Sequence, residues 1–422
     1  MCKAVSTVDS MKGIKLRRRI MLGAAASVLS SPLISSYANS SDIWGASKGY
    51  PTGRDPRWNA TAELRVGNYS GGYESFIPHR IIKPRPEGLD KLGVAKRTEI
   101  SYRIGLFRKT TSDFLDQYPT TGLIIWRDGE LLLEQYRFNR EPTHRMTGWS
   151  MAKGVTSLLL GICVDKGLLN SLYDTAEKYV PELEGTLHGQ VTLRHLMNMS
   201  TGAAVNHTTD LRFINSQSIN GDNTDIKRLV KKWDAKQEAA GISFNYNELA
   251  PMTIGVVLRK ISGLSLSELM EREIWSAIGA ESSATWLTDS VGNEPNNAFF
   301  AATLRDWLRL GMLIANKGLA NGVQVISASW MDEISMWRKD EGYCRYGVPL
   351  RVGNNQLRGA GYKSFFWQTK PDGSRPEFRG YDGQRILVDI PSKTVIVRTS
   401  VGGDTNSWMN ELEAIRDAVS KL

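Results

Sequence analysis

Trp149-Ser150-Met151-Ala152-Lys153-Gly154 opens a run whose apolar residues, Met151, Val155, Leu158, Leu159, Ile162 and Cys163, recur at helical spacing toward Leu169, with Gly167 near the stop. Ser150 and Lys153 therefore share one face of the predicted helix, close enough for the amine to accept or relay the serine proton. A serine hydroxyl is a weak nucleophile without such a partner. Partial burial at the base of a cleft lowers a lysine pKa, which would make a neutral amine accessible near neutral pH. The start of a helix also favours the negative charge that develops there during attack. Taken alone, the same residues fit a helix-cap serine and a solvated lysine, so the flanking sequence has to decide.

Upstream, Leu123–Trp126 and Leu131–Tyr136 flank Asp128-Gly129, the pattern of a β-hairpin over Thr121 to Phe138. Downstream, helical patterns dominate from about Asp174 to Leu319, as in Met252–Ile261, Ser267–Ile278 and Leu304–Ala315. Strand patterns return at Phe365–Gln368, Phe378–Tyr381, Ile386–Asp389 and Thr394–Thr399, before a helix from about Ser407 to Val419. Strands at both ends of a helical middle predict a fold of the α/β (α+β) class. One antiparallel sheet, completed by both chain halves and flanked by helices, carries a mostly helical lobe of about 174–319 inserted in it. The main domain spans 93–422. Residues 39–92, rich in Gly, Pro and polar side chains, read as an irregular extension.

The 422 residues, 41% hydrophobic and 23% charged, have the balance of an ordinary globular chain. Lys12, Lys15 and Arg17 to Arg19 precede an apolar run from Ile20 to Leu33 and small residues at Ser36 and Ala38, the order of a cleavable signal peptide over 1–38. Export to the periplasm or medium is the expectation, with no stable membrane anchor, since the run is shorter than the roughly 20 residues a span needs. Loss of its six basic residues and one acid takes the net charge from +9 to +4, too little to argue for a nucleic-acid partner. The five histidines lack metal-ligand spacing, so no metal or organic cofactor is expected. Cys163 and Cys344 remain after cleavage; Cys163 reads as a small buried apolar residue, although one bridge between the two is permitted.

Three more stretches join the first in order: Leu193-Arg194-His195-Leu196-Met197-Asn198-Met199-Ser200-Thr201-Gly202, Phe244-Asn245-Tyr246-Asn247-Glu248, and Arg379-Gly380-Tyr381-Asp382-Gly383-Gln384. From about Pro119 onward the chain resembles the serine hydrolases that comprise class C β-lactamases, penicillin-binding proteins, related carboxylesterases and 6-aminohexanoate-dimer hydrolases. The resemblance implies Ser150 as nucleophile, Tyr246 and Lys153 as the proton-moving pair, and the backbone amides of Ser150 and Tyr381 as an oxyanion hole. It also implies a small ester or amide as substrate. Gly380 matches the family's strand glycine at the substrate's edge, and Asp382 is a candidate for recognising a substrate amine or a turn residue. His195 is given no catalytic role. Two departures matter: Glu248 stands where many relatives have Asn, with Asn247 a possible substitute, and Phe378-Arg379 stands where β-lactamases have Lys-Thr. The second favours the esterase and amide-hydrolase branch over a β-lactamase or a D-alanyl-D-alanine carboxypeptidase. Trp149, Tyr362, Phe366 and Trp367 are candidates to line an acyl pocket, with core packing their default role.

Two other mechanisms and one non-enzymatic role compete. Gly148-Trp149-Ser150-Met151-Ala152 only superficially matches a nucleophile elbow, because no strand pattern precedes it and no histidine follows His207. A zinc hydrolase lacks ligands. A slowly deacylating sensor would keep the same serine chemistry and differ only in turnover.

Overall fold

In the computed structural model, which describes residues 42–55, 61–85, 92–402 and 406–422, Asp128 and Gly129 both take left-handed φ values, 41° and 94°. Two positive φ angles close a tight hairpin between strands Thr120–Arg127 and Glu130–Tyr136. That hairpin is one side of a seven-stranded sheet. Across it the strands run Gly361–Lys363, Phe366–Gln368, Pro376–Gly380, Gln384–Asp389, Thr394–Ser400, Thr120–Arg127 and Glu130–Tyr136, each antiparallel to its neighbour. Val397 opposite Ile124 joins the two chain halves. The expected signal segment 1–38 lies outside the described residues.

Alternation along these strands splits the apolar residues between two cores. Leu123, Ile125, Leu387 and Ile396 pack with Phe114 of helix Thr111–Gln117 and with Leu412 and Ile415 of helix Asn406–Val419. Ile124, Trp126, Ile386, Val388, Val395 and Val397 join the larger core, which includes helices Met151–Asp165 and Leu304–Ala315. A sheet covered on both faces needs apolar residues at successive positions, as these strands have.

The mostly helical middle of the chain also holds short strands. Ala284–Leu287 and Phe300–Ala302 are strands, forming a four-stranded sheet with His79–Ile82 and Met146–Thr147. Short buried apolar runs carry no period that separates strand from helix, which is why they read as part of the helical stretch. Helix Leu304–Ala315 packs on strands of the large sheet. The helices of the intervening region include Leu193–Met197, Leu211–Ser218, Ile226–Lys232 and Leu249–Ser262.

Residues 39–92 are not simply irregular. Helix Ala62–Tyr69 and strand His79–Ile82 lie within them, and Val66, Tyr69 and Tyr73 form a separate small core with Trp149 and Phe299. Their spacing is hidden among Gly and Asn, so the pattern is weak in sequence.

A buried ion cluster fastens the Leu193–Met197 helix to the edge of the large sheet. Arg194 Nη1 lies 2.8 Å from Glu333 Oε1 and 2.6 Å from Glu341 Oε1, and Lys363 Nζ is 2.6 Å and 2.5 Å from the same two oxygens. Asn198 donates to Glu341 at 2.9 Å and accepts from the Ser364 amide at 2.9 Å. The Leu193 to Gly202 stretch is thus a structural fastening. Cys163 and Cys344 are both buried and unbridged.

Candidate active site

Ser150 is the residue before the first turn of helix Met151–Asp165, reached through Trp149 with φ of 49°. A bulky residue in the left-handed region is costly and has to be held by its surroundings. Tyr69, Tyr73, Phe299 and Tyr381 enclose the indole edge-on, with ring centroids 5.2, 5.9, 5.5 and 5.8 Å away. The extension thereby braces the turn that presents Ser150.

One helical turn on, the Lys153 ammonium is 1% exposed and donates to Ser150 Oγ at 3.0 Å, Glu248 Oε2 at 2.7 Å and the Asn297 carbonyl at 2.9 Å. Three acceptors match its three N–H bonds. Burial is the largest single influence and pushes the lysine pKa down, but Glu248 and Tyr246 together reverse it and the net shift is upward. The neutral-amine expectation is therefore corrected in direction: the groups around Lys153 favour its charged form. For Glu248 burial acts in the opposite sense, yet Lys153 and His207 bring its pKa down to about 2.

Tyr246 is placed by the short strand Asn245–Tyr246, parallel to Leu350–Val352, where Ser150 and Lys153 are near enough to its phenol for both to favour the phenolate. Its ring stacks on Trp367 at 5.7 Å, and Lys153 Nζ lies 4.8 Å from the ring centre. Burial is the largest influence on the phenol and raises its pKa despite the nearby ammonium. Asn247 cannot take over substrate amide recognition: its buried side chain donates to Asn245 O at 2.9 Å and accepts from Ala250 N–H at 2.9 Å, closing the turn into helix Leu249–Ser262. Glu248 holds the lysine instead, and on its other side Oε1 is 3.0 Å from His207 Nδ1.

The opposite wall is the strand Pro376–Gly380. Gly154 lets the Ser150 helix lie against it, since a Cβ there would meet the Phe378 ring at 2.4 Å. Phe378 is buried and packs edge-on to Phe366 at 4.9 Å, so its place in the pattern is structural. A Cβ on Gly380 would lie 2.1 Å from the Gly148 carbonyl, which brings the strand end beside the turn before Ser150. The Ser150 N–H has no acceptor among the described residues, and Tyr381 follows Gly380 at the rim. Asp382 is not brought to the cleft. It is 5% exposed, with φ of 54°, and accepts from Tyr69 Oη at 2.7 Å while Arg65 lies 3.5 Å away. The amine-recognition option for Asp382 is set aside because the carboxylate serves the extension.

Two cavities meet at Ser150. A small one of 50 Å³ is lined by Trp149, Leu211, Ala298 and Phe299 among others. A larger cleft of 350 Å³ runs past Tyr246, Trp367, Leu357, Arg379 and Gly380. Arg379 is paired with Glu377 at 2.8 Å and lies over Trp367 at 5.0 Å. Trp149 and Trp367 line these spaces, whereas Tyr362 and Phe366 are core residues. His195 lines neither cavity. Glu248, His207, Asn297 and Tyr69 are the site residues that sequence reasoning did not assign. Glu248 alone left a signal, as a carboxylate at an otherwise apolar helix start.

The model of the Beta-lactamase family matches residues 107–373. The 6-aminohexanoate-dimer hydrolase of Paenarthrobacter ureafaciens is 22% identical over 306 residues, covering 70% of this chain and 76% of that protein. A protein from Bacillus anthracis provisionally named a 6-aminohexanoate-dimer hydrolase has a similar structure, with a TM-score of 0.73, 23% identity, and coverage of 87% of this chain and 94% of that one. A family VIII carboxylesterase aligns with a TM-score of 0.57 and 17% identity, over 73% of this chain and 95% of its own. These structural likenesses show the same mixed fold of helices and antiparallel sheet.

Proposed function

Because this chain belongs to the beta-lactamase family and is a serine hydrolase, we propose that it cleaves small linear amides or esters through an acyl-enzyme on Ser150. The observation that carries this reading is the ammonium of Lys153, with Ser150 Oγ, Glu248 and Asn297 O as its three acceptors. With the lysine protonated, Tyr246 is the group left to take the Ser150 proton. As Oγ bonds to the substrate carbonyl carbon, the serine proton passes to the Tyr246 oxygen and the phenol's own proton passes to the leaving nitrogen or oxygen. The phenol never has to persist as an anion, which suits its raised pKa. The amides of Ser150 and Tyr381 receive the oxyanion. The carbon–leaving-group bond then breaks, and water later releases the acid.

The relatives' names support a linear amide joining short amino-acid units as substrate, and a 350 Å³ cleft meeting a smaller pocket of mixed lining at Ser150 suits a molecule with groups on both sides of the scissile bond. Phe378 in the core and Arg379 already paired leave no lysine on this strand for a penicillin carboxylate. Export through a signal cleaved after Ala38 is part of the same reading. It is tested by N-terminal sequencing of protein from the native host, where an intact Met1 or Met11 would end it.

The decisive experiment treats the parent and Ser150→Ala with p-nitrophenyl esters of graded chain length, a linear aminohexanoate dimer and a fluorophosphonate probe. Turnover and labelling in the parent alone are expected. Labelling without turnover would make the protein a sensor, and activity surviving in Ser150→Ala would overturn the nucleophile. A chromogenic cephalosporin cleaved far faster than the esters would favour a β-lactamase.

A further inference from the structure

We infer that His207 is a further catalytic residue of this site, the group that takes the proton of the hydrolytic water when the acyl-enzyme is broken down; this rests on the acyl-enzyme reading above. Among the described residues, only Ser150, Tyr381 and His207 line both the small pocket and the larger cleft. An acyl carbon on Ser150, with its oxygen toward the Tyr381 amide, therefore lies at a junction that the imidazole also borders.

The geometry suits a base. Nδ1 is 3.0 Å from Glu248 Oε1, an ion-pair distance although the N–H is not aligned along it, and the imidazole stands edge-on to Tyr246 with ring centres 5.1 Å apart. Nε2 has no hydrogen-bond partner among the described residues, and the side chain is 25% exposed. The turn that carries it is fixed by Asn206, whose Oδ1 accepts from Thr208 N–H at 2.9 Å and whose Nδ2 donates to Asn354 at 2.7 Å.

The other groups are poorly suited to accept that proton. Lys153 is an ammonium whose three N–H bonds are already engaged. Tyr246 can relay a proton only if another atom accepts one at the same moment. During acylation of an amide that atom is the leaving nitrogen, which is basic once the carbonyl is tetrahedral. During hydrolysis it would be the ester oxygen of Ser150, which is far less basic and already accepts from Lys153. An imidazole backed by a carboxylate removes this constraint. In the step assigned to it, the water oxygen bonds to the acyl carbon and its proton goes to Nε2. Glu248 offsets the imidazolium charge. When the carbon–Oγ bond breaks, the proton on Nε2 returns to Oγ through the Tyr246 hydroxyl, which gives one proton and takes another. The products are the free acid and the original serine.

The test is rapid-mixing kinetics of p-nitrophenyl butyrate with the parent, His207→Asn and His207→Gln, with intact-mass analysis of the quenched protein. In both variants the first-turnover release of p-nitrophenol should keep its rate within about twofold. Steady-state turnover should fall by about 10²–10⁴-fold, the usual worth of a general base. A butyryl adduct should accumulate on Ser150, and added imidazole should restore part of the turnover. Unchanged turnover, or equal loss in the acylation and steady-state phases, would overturn the assignment. Fluorophosphonate labelling at the parental rate checks that each variant is folded; if neither variant labels, the same measurements on His207→Ala, with imidazole added and withheld, decide instead, and turnover that imidazole leaves unchanged overturns the assignment. If the parent itself takes no label at Ser150, the acyl-enzyme reading fails first, and with it the basis of this one.

Discussion

Lys153 is 1% exposed with Glu248 2.7 Å away; this carboxylate favours the charged form, and removing it would leave a buried cation uncompensated. Glu248→Gln should therefore destabilise the fold by about 3–5 kcal/mol, measured by urea unfolding at neutral pH. A loss under about 1 kcal/mol would mean that water or a rearranged neighbour compensates the ammonium. Tyr246→Phe keeps the ring's stacking on Trp367 but removes the relay, so turnover should drop by about 10²–10⁴-fold with little change in stability. Near-parental turnover would take the phenol out of the mechanism. Ser150 and Lys153 were legible in the sequence because a single helical turn brings them together. Glu248 stood out only as a departure from its relatives, and His207 not at all, because their partnership spans separate segments and follows no spacing rule. The lysine's charge state was misread for the same reason: burial could be inferred locally, but its counter-ion lay across the cleft.

Between elements, Gly154 sets how closely the nucleophile's helix approaches the strand that ends at Gly380. Gly154→Ala puts a methyl group 2.4 Å from the Phe378 ring, an overpacking expected to cost about 1–3 kcal/mol and to lower kcat by shifting Ser150 relative to Tyr381. Gly154→Ala combined with Phe378→Leu should recover part of both losses. If the double variant is no better than the single one, the contact is not what spaces the two elements. The strands of the large sheet were legible because alternation and the Asp128-Gly129 turn are local signals. Ala284–Leu287 and the Ala62–Tyr69 helix were less so. The first is a uniformly buried run without a period, and the second is recognisable only through its contact with Trp149.

For the molecule as a whole, buried carboxylates predict how stability changes in acid. Burial is the largest influence on Glu333 and raises its pKa, but Lys363 and Arg194 reverse this and hold it at about 2, close to Glu248. A carboxyl whose folded pKa lies below its unfolded value of 4.5 stabilises the fold above that pH, and this contribution disappears as pH falls toward 2. At about 1.4 kcal/mol per pK unit, the two together should remove a few kcal/mol. Urea midpoints should therefore fall steeply between pH 5 and 3, whereas between pH 7 and 5 Asp306, whose burial raises its carboxyl pKa to about 6, opposes any loss. A flat profile to pH 3 would mean that these ion pairs survive in the unfolded chain or do not form. The antiparallel sheet was legible as a joint product of the two chain halves, and that arrangement also orders events in time. Thr394–Ser400 pairs with Thr120–Arg127, so the central seam cannot close until almost the whole chain has emerged from the ribosome. The helix bearing Ser150 is synthesised long before strand Pro376–Gly380, against which Gly154 lets it pack. A nascent chain therefore carries Ser150 on a helix whose opposite wall has yet to be made.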